Sequence, residues 1–137
     1  GGSLGALAGN AQVVVIGDGT WGASGAAEFN RERLHVTRHL IEDLGFAETG
    51  KGGAFVADGN LISGVGKLPF NTDGGGLCNN HPANRGGMTK VIEAVRQLRG
   101  EAHAKVQVPG CKLALANGIG GLLGHRHGSA TLIMERE

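Results

Sequence analysis

Tyrosine is absent from this sequence, tryptophan occurs once and phenylalanine four times. So few rings argue against a surface that binds nucleic acid by stacking bases on aromatic side chains. An excess of one charge is also missing. Thirteen Lys and Arg stand against twelve Asp and Glu, for a net charge of +1, and the basic residues are scattered through both halves. Neither a duplex-binding face nor a patch for an anionic membrane is expected. Any phosphate-bearing ligand would have to be held by local donors. No apolar run approaches the roughly 20 residues needed to span a bilayer. The two cysteines, Cys78 and Cys111, lack CxxC spacing and follow no secretory signal. Free thiols in a soluble, cytoplasmic protein are the expectation.

What the chain does have is glycine: 27 in 137 residues, beside an ordinary hydrophobic fraction of 40%. The glycines follow no collagen-like period and sit between apolar runs, so they read as tight turns and close backbone approaches. The length suits one domain with a real core.

Along the chain, Gln12 to Ile16 is a short β-branched run read as a buried strand, followed by a glycine-rich loop. A helix is expected from about Ala26 to Leu44, stopped by Gly45. Ala54–Ala57 and Leu61–Ser63 flank Asp58-Gly59-Asn60, a local hairpin signal. The clearest helix runs from about Asn84 to Leu98. Met88, Ile92, Val95 and Leu98 form its expected apolar side, and Gly100 closes it. Strands are expected at Lys105–Val108 and Lys112–Ala116, around the turn Pro109-Gly110, and at Ala130–Met134. Interleaved strands and helices make the class α/β.

Three segments can carry chemistry. In the loop from Asn71 to Asn84, His81-Pro82 stands just before the expected helix. A neutral imidazole near free helix N-terminal amides can take a proton from a thiol or polarise a carbonyl. The same spacing also fits a loop histidine bonded only to backbone. The cluster Asn117-Gly-Ile-Gly-Gly-Leu-Leu-Gly124 lets backbone N–H groups approach a ligand, as an oxyanion hole or a pantetheine seat requires, or it is a plain turn between strands. Val13 to Gly22 is an apolar strand entering G-x-G-x-x-G, with Glu42 or Asp43 about twenty residues on. That is a dinucleotide fingerprint by the letter. Against it stand the bulk of Trp21, the abundance of glycine and the lack of a clear second strand before the acidic pair. His125 and His127 lack a third ligand at supporting spacing, so no metal site is expected. Cys78, three residues from His81, is a minor candidate nucleophile.

Taken together, Glu42-Asp-Leu-Gly-Phe46, Gly50-Lys-Gly-Gly-Ala-Phe-Val56, Leu68-Pro-Phe-Asn-Thr-Asp-Gly-Gly-Gly76, His81-Pro82 and Glu93-Ala-Val-Arg-Gln-Leu-Arg-Gly100 fall in the order of the thiolase superfamily. The chain resembles the C-terminal half of such a protein, closest to the lipid-transfer (sterol-carrier-type) thiolase and acetyl-CoA acetyltransferase branch. Residues 1–33 match poorly and look shortened. The resemblance implies a thiolase-like fold: one mixed sheet with helices on its faces, half of a duplicated structure whose halves share a central helical layer.

It also implies action on acyl-CoA thioesters, by Claisen or retro-aldol chemistry, with coenzyme A as part of the substrate and no separate cofactor. His81 matches the family's catalytic histidine, which activates a nucleophilic cysteine and helps hold a thioester oxygen. Gly120 matches the glycine of the Cys-x-Gly motif, whose N–H contributes to an oxyanion hole, and Asn71 and Gly121 are candidate substrate-binding neighbours. The implied partners are acyl-CoA and an N-terminal thiolase half or subunit. A homo- or hetero-oligomer that can include a small OB-fold partner is implied as well. The sequence departs from the family at Asn80, which replaces a glycine before the histidine, and at Gly118, which takes the place of the motif's cysteine. The primary nucleophile belongs to the N-terminal half. Non-catalytic binding of acyl-CoA or a partner on the same fold is the alternative, with a nucleotide-binding oxidoreductase fragment behind it.

Overall fold

The computed structural model describes residues 11–18, 41–62, 66–75, 86–120 and 128–137. Its elements, in chain order, are β1 (Val13–Asp18), α1 (Gly52–Ala57), α2 (Gly86–Arg99), β2 (Leu113–Gly120) and β3 (Gly128–Glu135). The three strands form one mixed sheet in the order β1-β2-β3. β1 runs parallel to β2 with Val13 opposite Ala114 and Asp18 opposite Ile119. β3 returns antiparallel, with Leu113 opposite Glu135 and Gly120 opposite Gly128.

Alternation along β2 divides the core between the two faces of the sheet. Ala114 and Ala116 point to one face and pack with Ala94, Leu98 and Cys111, flanked by Val91, Val108 and Met134. The small alanines let α2 lie close against the sheet. Leu115 points to the other face, where it meets Ala11 and Leu68 beneath Leu44, Phe46, Phe55, Leu61 and Phe70. The structure is therefore α/β with helical segments on both faces, as the resemblance implies.

Two glycine stops fall where expected. Residues 41–43 are helical, and Gly45 (φ 83°) then reverses the chain. Its N–H donates to the Glu42 carbonyl while the Phe46 N–H donates to Ile41. At the end of α2, Gly100 (φ 74°) repeats the arrangement with bonds to Gln97 and, from Glu101, to Arg96. Both are Schellman closures, in which only glycine adopts the left-handed turn without strain.

Three expectations are corrected. Residues 54–57 belong to a helix, α1, and not to a hairpin strand. The Gly52 N–H at its first turn donates to Glu42 Oε1 at 2.8 Å. The Asp-Gly pair terminates α1: the Asp58 and Gly59 amides bond back to Ala54 and Val56. Tertiary burial of Phe55 overrides the local turn signal. Residues 105–108 are not a strand. The Gln97 side chain takes the place of a strand partner there, donating to the Val106 carbonyl and accepting from the Val108 N–H.

The third correction concerns α2. Met88 and Ile92, expected inside, are 61% and 44% exposed. The face turned to the domain is Lys90, Glu93, Ala94, Gln97 and Leu98, all buried. This set keeps the i, i+3, i+4, i+7, i+8 spacing of an inward stripe, but three of its five members are polar. Helix α2 thus has its polar side buried against its own domain and part of its apolar side open.

Candidate functional site

The parallel strands β1 and β2 end at Asp18 and Gly120, and in open α/β sheets ligands gather beyond the carboxyl ends of such strands. The course of α2 brings its N-terminus to this end. At the opposite end, Arg136 Nη1 donates to the carbonyl of Leu98, and Glu135 pairs with Leu113 at the start of β2. The C-terminus of α2 thus lies by the start of β2, and its first residue, Gly86, lies toward Gly120.

A buried polar network ties the loop 71–75 to the same helix. Lys90 Nζ lies 2.6 Å from Asp73 Oδ2, with side chains only 1% and 4% exposed. Thr72 Oγ1 donates to Glu93 Oε1 at 2.6 Å. Gln97 Nε2 bonds both Thr72 Oγ1 (3.1 Å) and Glu93 Oε1 (2.9 Å). Lys90 and Asp73 are buried beside each other, and the buried Glu93 carboxylate accepts from Thr72 and Gln97, so each of these groups has the partner that burial requires.

The loop itself is sharply turned. Asn71 has φ 47°, Gly74 φ 93° and Gly75 φ 73°. Gly75 N donates to Asp73 Oδ1 at 3.0 Å, and Gly74 N donates to the Asn71 carbonyl. A non-glycine residue in the left-handed region is uncommon, asparagine being among the few that tolerate it, and such residues gather at functional turns.

Of the residues singled out in the sequence, Asn71 is this half-buried corner and Gly120 is the last residue of β2. His81, Gly121, Cys78, His125, His127 and most of the G-x-G-x-x-G segment lie outside the described residues. Gly118 sits two residues before Gly120 on β2, and a Cβ there would meet nothing within 4 Å. The position expected to correspond to the motif's cysteine therefore has room for a side chain. Cys111 cannot take over that role. It is buried in the α2 core, where burial pushes its thiol above the usual value, offset in part by a backbone hydrogen bond with Leu113.

Thr72, Asp73, Lys90, Glu93 and Gln97 were not singled out from the sequence. Their signal was the spacing of Lys90, Glu93 and Gln97, which places three polar residues on one helix face. Among the described residues, no group of His, Cys, Asp or Glu is arranged to hold a metal ion, and no helix is long and apolar enough to cross a membrane.

The mixed sheet with helical segments on both faces makes this an α/β domain. The family comparison is direct: residues 34–136 match the thiolase C-terminal domain-like family, and the chain belongs to it. Among its relatives, acetyl-CoA acetyltransferase of Methanothermobacter thermautotrophicus is 42% identical over 81 residues, covering 59% of this chain and 21% of that protein. Sterol carrier protein 2 of Oryctolagus cuniculus is 44% identical over 79 residues, 58% of this chain and 14% of the relative. The solved Ltp2-ChsH2(DUF35) aldolase superposes with a TM-score of 0.62 at 27% identity, over 97% of this chain and 31% of the aldolase chain. This chain therefore spans a third or less of each of these relatives.

Proposed function

We propose that this chain is the C-terminal half of a thiolase-type enzyme that makes or breaks a carbon–carbon bond in an acyl-CoA thioester. The family match over residues 34–136 carries this reading, and the relatives' names add acyl-CoA and aldolase chemistry to it. In this reading His81 is the acid–base group, the Gly120 N–H is part of an oxyanion hole, and Asn71 and Gly121 border the substrate. Developing charge on the thioester oxygen is best stabilised by fixed N–H donors, and strand-end glycines let the backbone approach closely enough.

Gly118 bears on the type of reaction. Claisen chemistry in this family uses a cysteine at that position as a second acid–base group, and none is present. Retro-aldol cleavage needs less. A base takes the β-hydroxyl proton, the Cα–Cβ bond breaks to leave a carbonyl compound and a thioester enolate, and the enolate then takes up a proton. One histidine and an oxyanion hole serve these steps, so aldol-type cleavage fits this chain better than condensation. Coenzyme A then enters as part of the substrate.

The open side of α2 supports a partner. Met88 and Ile92 lie on the face of a helix whose other face is already buried, and covering the roughly half of each that is still exposed is worth about 1 kcal/mol apiece. A groove of about 540 Å³, lined by Val95, Leu98, Arg99, Met134 and Arg136, continues that surface at the end away from Gly120. An N-terminal thiolase half seated there makes α2 part of a shared central layer. The naming of ChsH2(DUF35) with the aldolase supports a hetero-oligomer. The test is to supply an N-terminal thiolase half from the same source and assay β-hydroxyacyl-CoA cleavage. Turnover that appears only with both halves supports the reading. Acyl-CoA binding without turnover in every reconstitution favours the non-catalytic alternative.

A further inference from the structure

Helix α2 is set against the sense of its own amphipathic pattern. Met88, Ile92 and Val95 recur at i, i+4 and i+7 and form its apolar stripe, yet Met88 and Ile92 are 61% and 44% exposed. Lys90, Glu93 and Gln97 recur at i, i+3 and i+7, and all three are buried. At about 100° per residue the two stripes stand on opposite sides of the helix. We propose that the buried polar stripe is a rotational lock. Its bonds to residues 72–73 and 106–108 hold α2 in the one setting that keeps the Met88–Ile92 side outward, against the reversed setting that apolar burial alone would favour. The lock bears on the proposed partner surface, because α2 offers its apolar side to a partner only while that side is held out. It belongs to this domain by itself, and no partner enters its test.

Three observations carry it. First, the bonds come from both sequence flanks of the helix and grip successive turns. Lys90 Nζ meets Asp73 Oδ2 at 2.6 Å, and Glu93 Oε1 accepts from Thr72 Oγ1 at 2.6 Å. Gln97 Nε2 donates to Thr72 Oγ1 at 3.1 Å and to the Val106 carbonyl at 3.0 Å, while its Oε1 accepts the Val108 N–H at 2.8 Å. Turning the helix about its axis breaks all of these together. Second, the apolar contact with the sheet indexes that rotation poorly. Ala94 packs with Ala114 and Ala116, with Cys111 and Leu98 beside them, a seam of mostly small side chains with shallow ridges. Third, these polar groups are costly to bury, and apolar residues of the same volume usually supply as much stability. What they add is selectivity. A buried amide, carboxylate or ammonium is satisfied in one arrangement and penalises the others, as one polar residue fixes the register of a coiled coil.

The test labels the methyl groups of the chain's two methionines, Met88 and Met134, for NMR. Met134→Leu assigns the signals, and a soluble paramagnetic agent broadens whichever methyl is exposed. The wild type should give one Met88 signal, strongly broadened. The quadruple variant Thr72→Val/Asp73→Asn/Lys90→Leu/Glu93→Leu removes the lock, strands no charge of the network and keeps an oxygen acceptor for the Gly75 N–H. Its circular dichroism spectrum should match the wild type, while Met88 splits into signals of unequal broadening as α2 samples both settings. Adding Ile92→Ser weakens the competing apolar side and should restore the single, strongly broadened signal, which a merely loosened fold would not do. If the quadruple variant does not fold, Thr72→Val/Glu93→Leu against Glu93→Gln reads the same point. Glu93→Gln keeps an acceptor for Thr72 and Gln97 and should leave Met88 single, whereas the apolar pair should split it. A folded network variant whose Met88 signal stays single and broadened as in the wild type overturns the proposal. So does splitting that Ile92→Ser leaves unchanged.

Discussion

Lys90 Nζ meets Asp73 Oδ2 at 2.6 Å inside the domain, joining the middle of a helix to the loop 17 residues before it. Removing one partner strands the other charge in a medium that solvates it poorly. Lys90→Met alone is expected to destabilise the protein by about 3–5 kcal/mol. The double change with Asp73→Asn should recover a substantial part of that loss. Chemical denaturation of the three variants checks this, and equal losses for the single and double variants would contradict it.

Gln97 is buried and uses both ends of its amide. Oε1 accepts from Val108 N and Gln107 Nε2, and Nε2 donates to Thr72, Glu93 and Val106. Gln97→Leu keeps the approximate volume and orphans several of these partners, each costing about 1–3 kcal/mol when left buried without a bond. Hydrogen exchange at the Val108 amide should rise in this variant well before global unfolding. Wild-type protection at Val108 would show that the amide does not hold residues 105–108.

The open side of α2 separates assembly from folding. Ile92→Glu alters an exposed position and should change the stability of this domain by no more than about 0.5 kcal/mol. The same change places a charge where an apolar partner surface must lie, so association with the N-terminal half should be lost. Sedimentation of the mixed halves reads the outcome, and unimpaired association would move the contact elsewhere.

The two thiol positions near the sheet should behave oppositely. Cys111 is desolvated and its thiol is raised above 9.0. It should therefore react slowly with iodoacetamide in the folded protein and rapidly after denaturation. Because the folded value is the higher one, the stability from burying the neutral thiol is fully present below pH 9. It falls as the pH climbs from there through the folded-state value, where the unfolded chain loses its proton first. A thiol introduced by Gly118→Cys meets open space. The variant should fold with little change in stability, within about 0.5 kcal/mol, and should alkylate faster than Cys111. Comparable rates would show that position 118 is closed.

Much of this architecture was legible in the sequence, and the misses share a cause. Gly45 and Gly100 announced the two helix ends because a left-handed residue is a local requirement, readable without the rest of the molecule. β1 and β3 were likewise legible as β-branched runs. The hairpin read into residues 54–63 failed because Asp58-Gly59 suits a helix end as well as a hairpin turn, and burial of Phe55 decides between them. The inversion of α2 was hidden for a different reason. Met88, Ile92, Val95 and Leu98 form a helical apolar stripe, but a helix used on both sides shows two stripes. The polar one can be told from a solvated face only by the groups it meets: Asp73, Thr72 and Val106 come from elsewhere in the chain. At the candidate site, Asn71, Gly118 and Gly120 could be found by alignment to a family motif. The buried network that follows Asn71 could not, since no local pattern marks a threonine as the partner of a glutamate 21 residues away.

The central claim is that this domain supplies the acid–base histidine of a thiolase-type enzyme. It is tested most directly by the rate of acyl-CoA cleavage in the complete assembly, compared between the wild type and His81→Ala. Removing a positioned general acid–base is worth a factor of about 10²–10⁴. The account expects a fall of that size with acyl-CoA binding retained. An unchanged cleavage rate in a folded, assembled His81→Ala protein would contradict it.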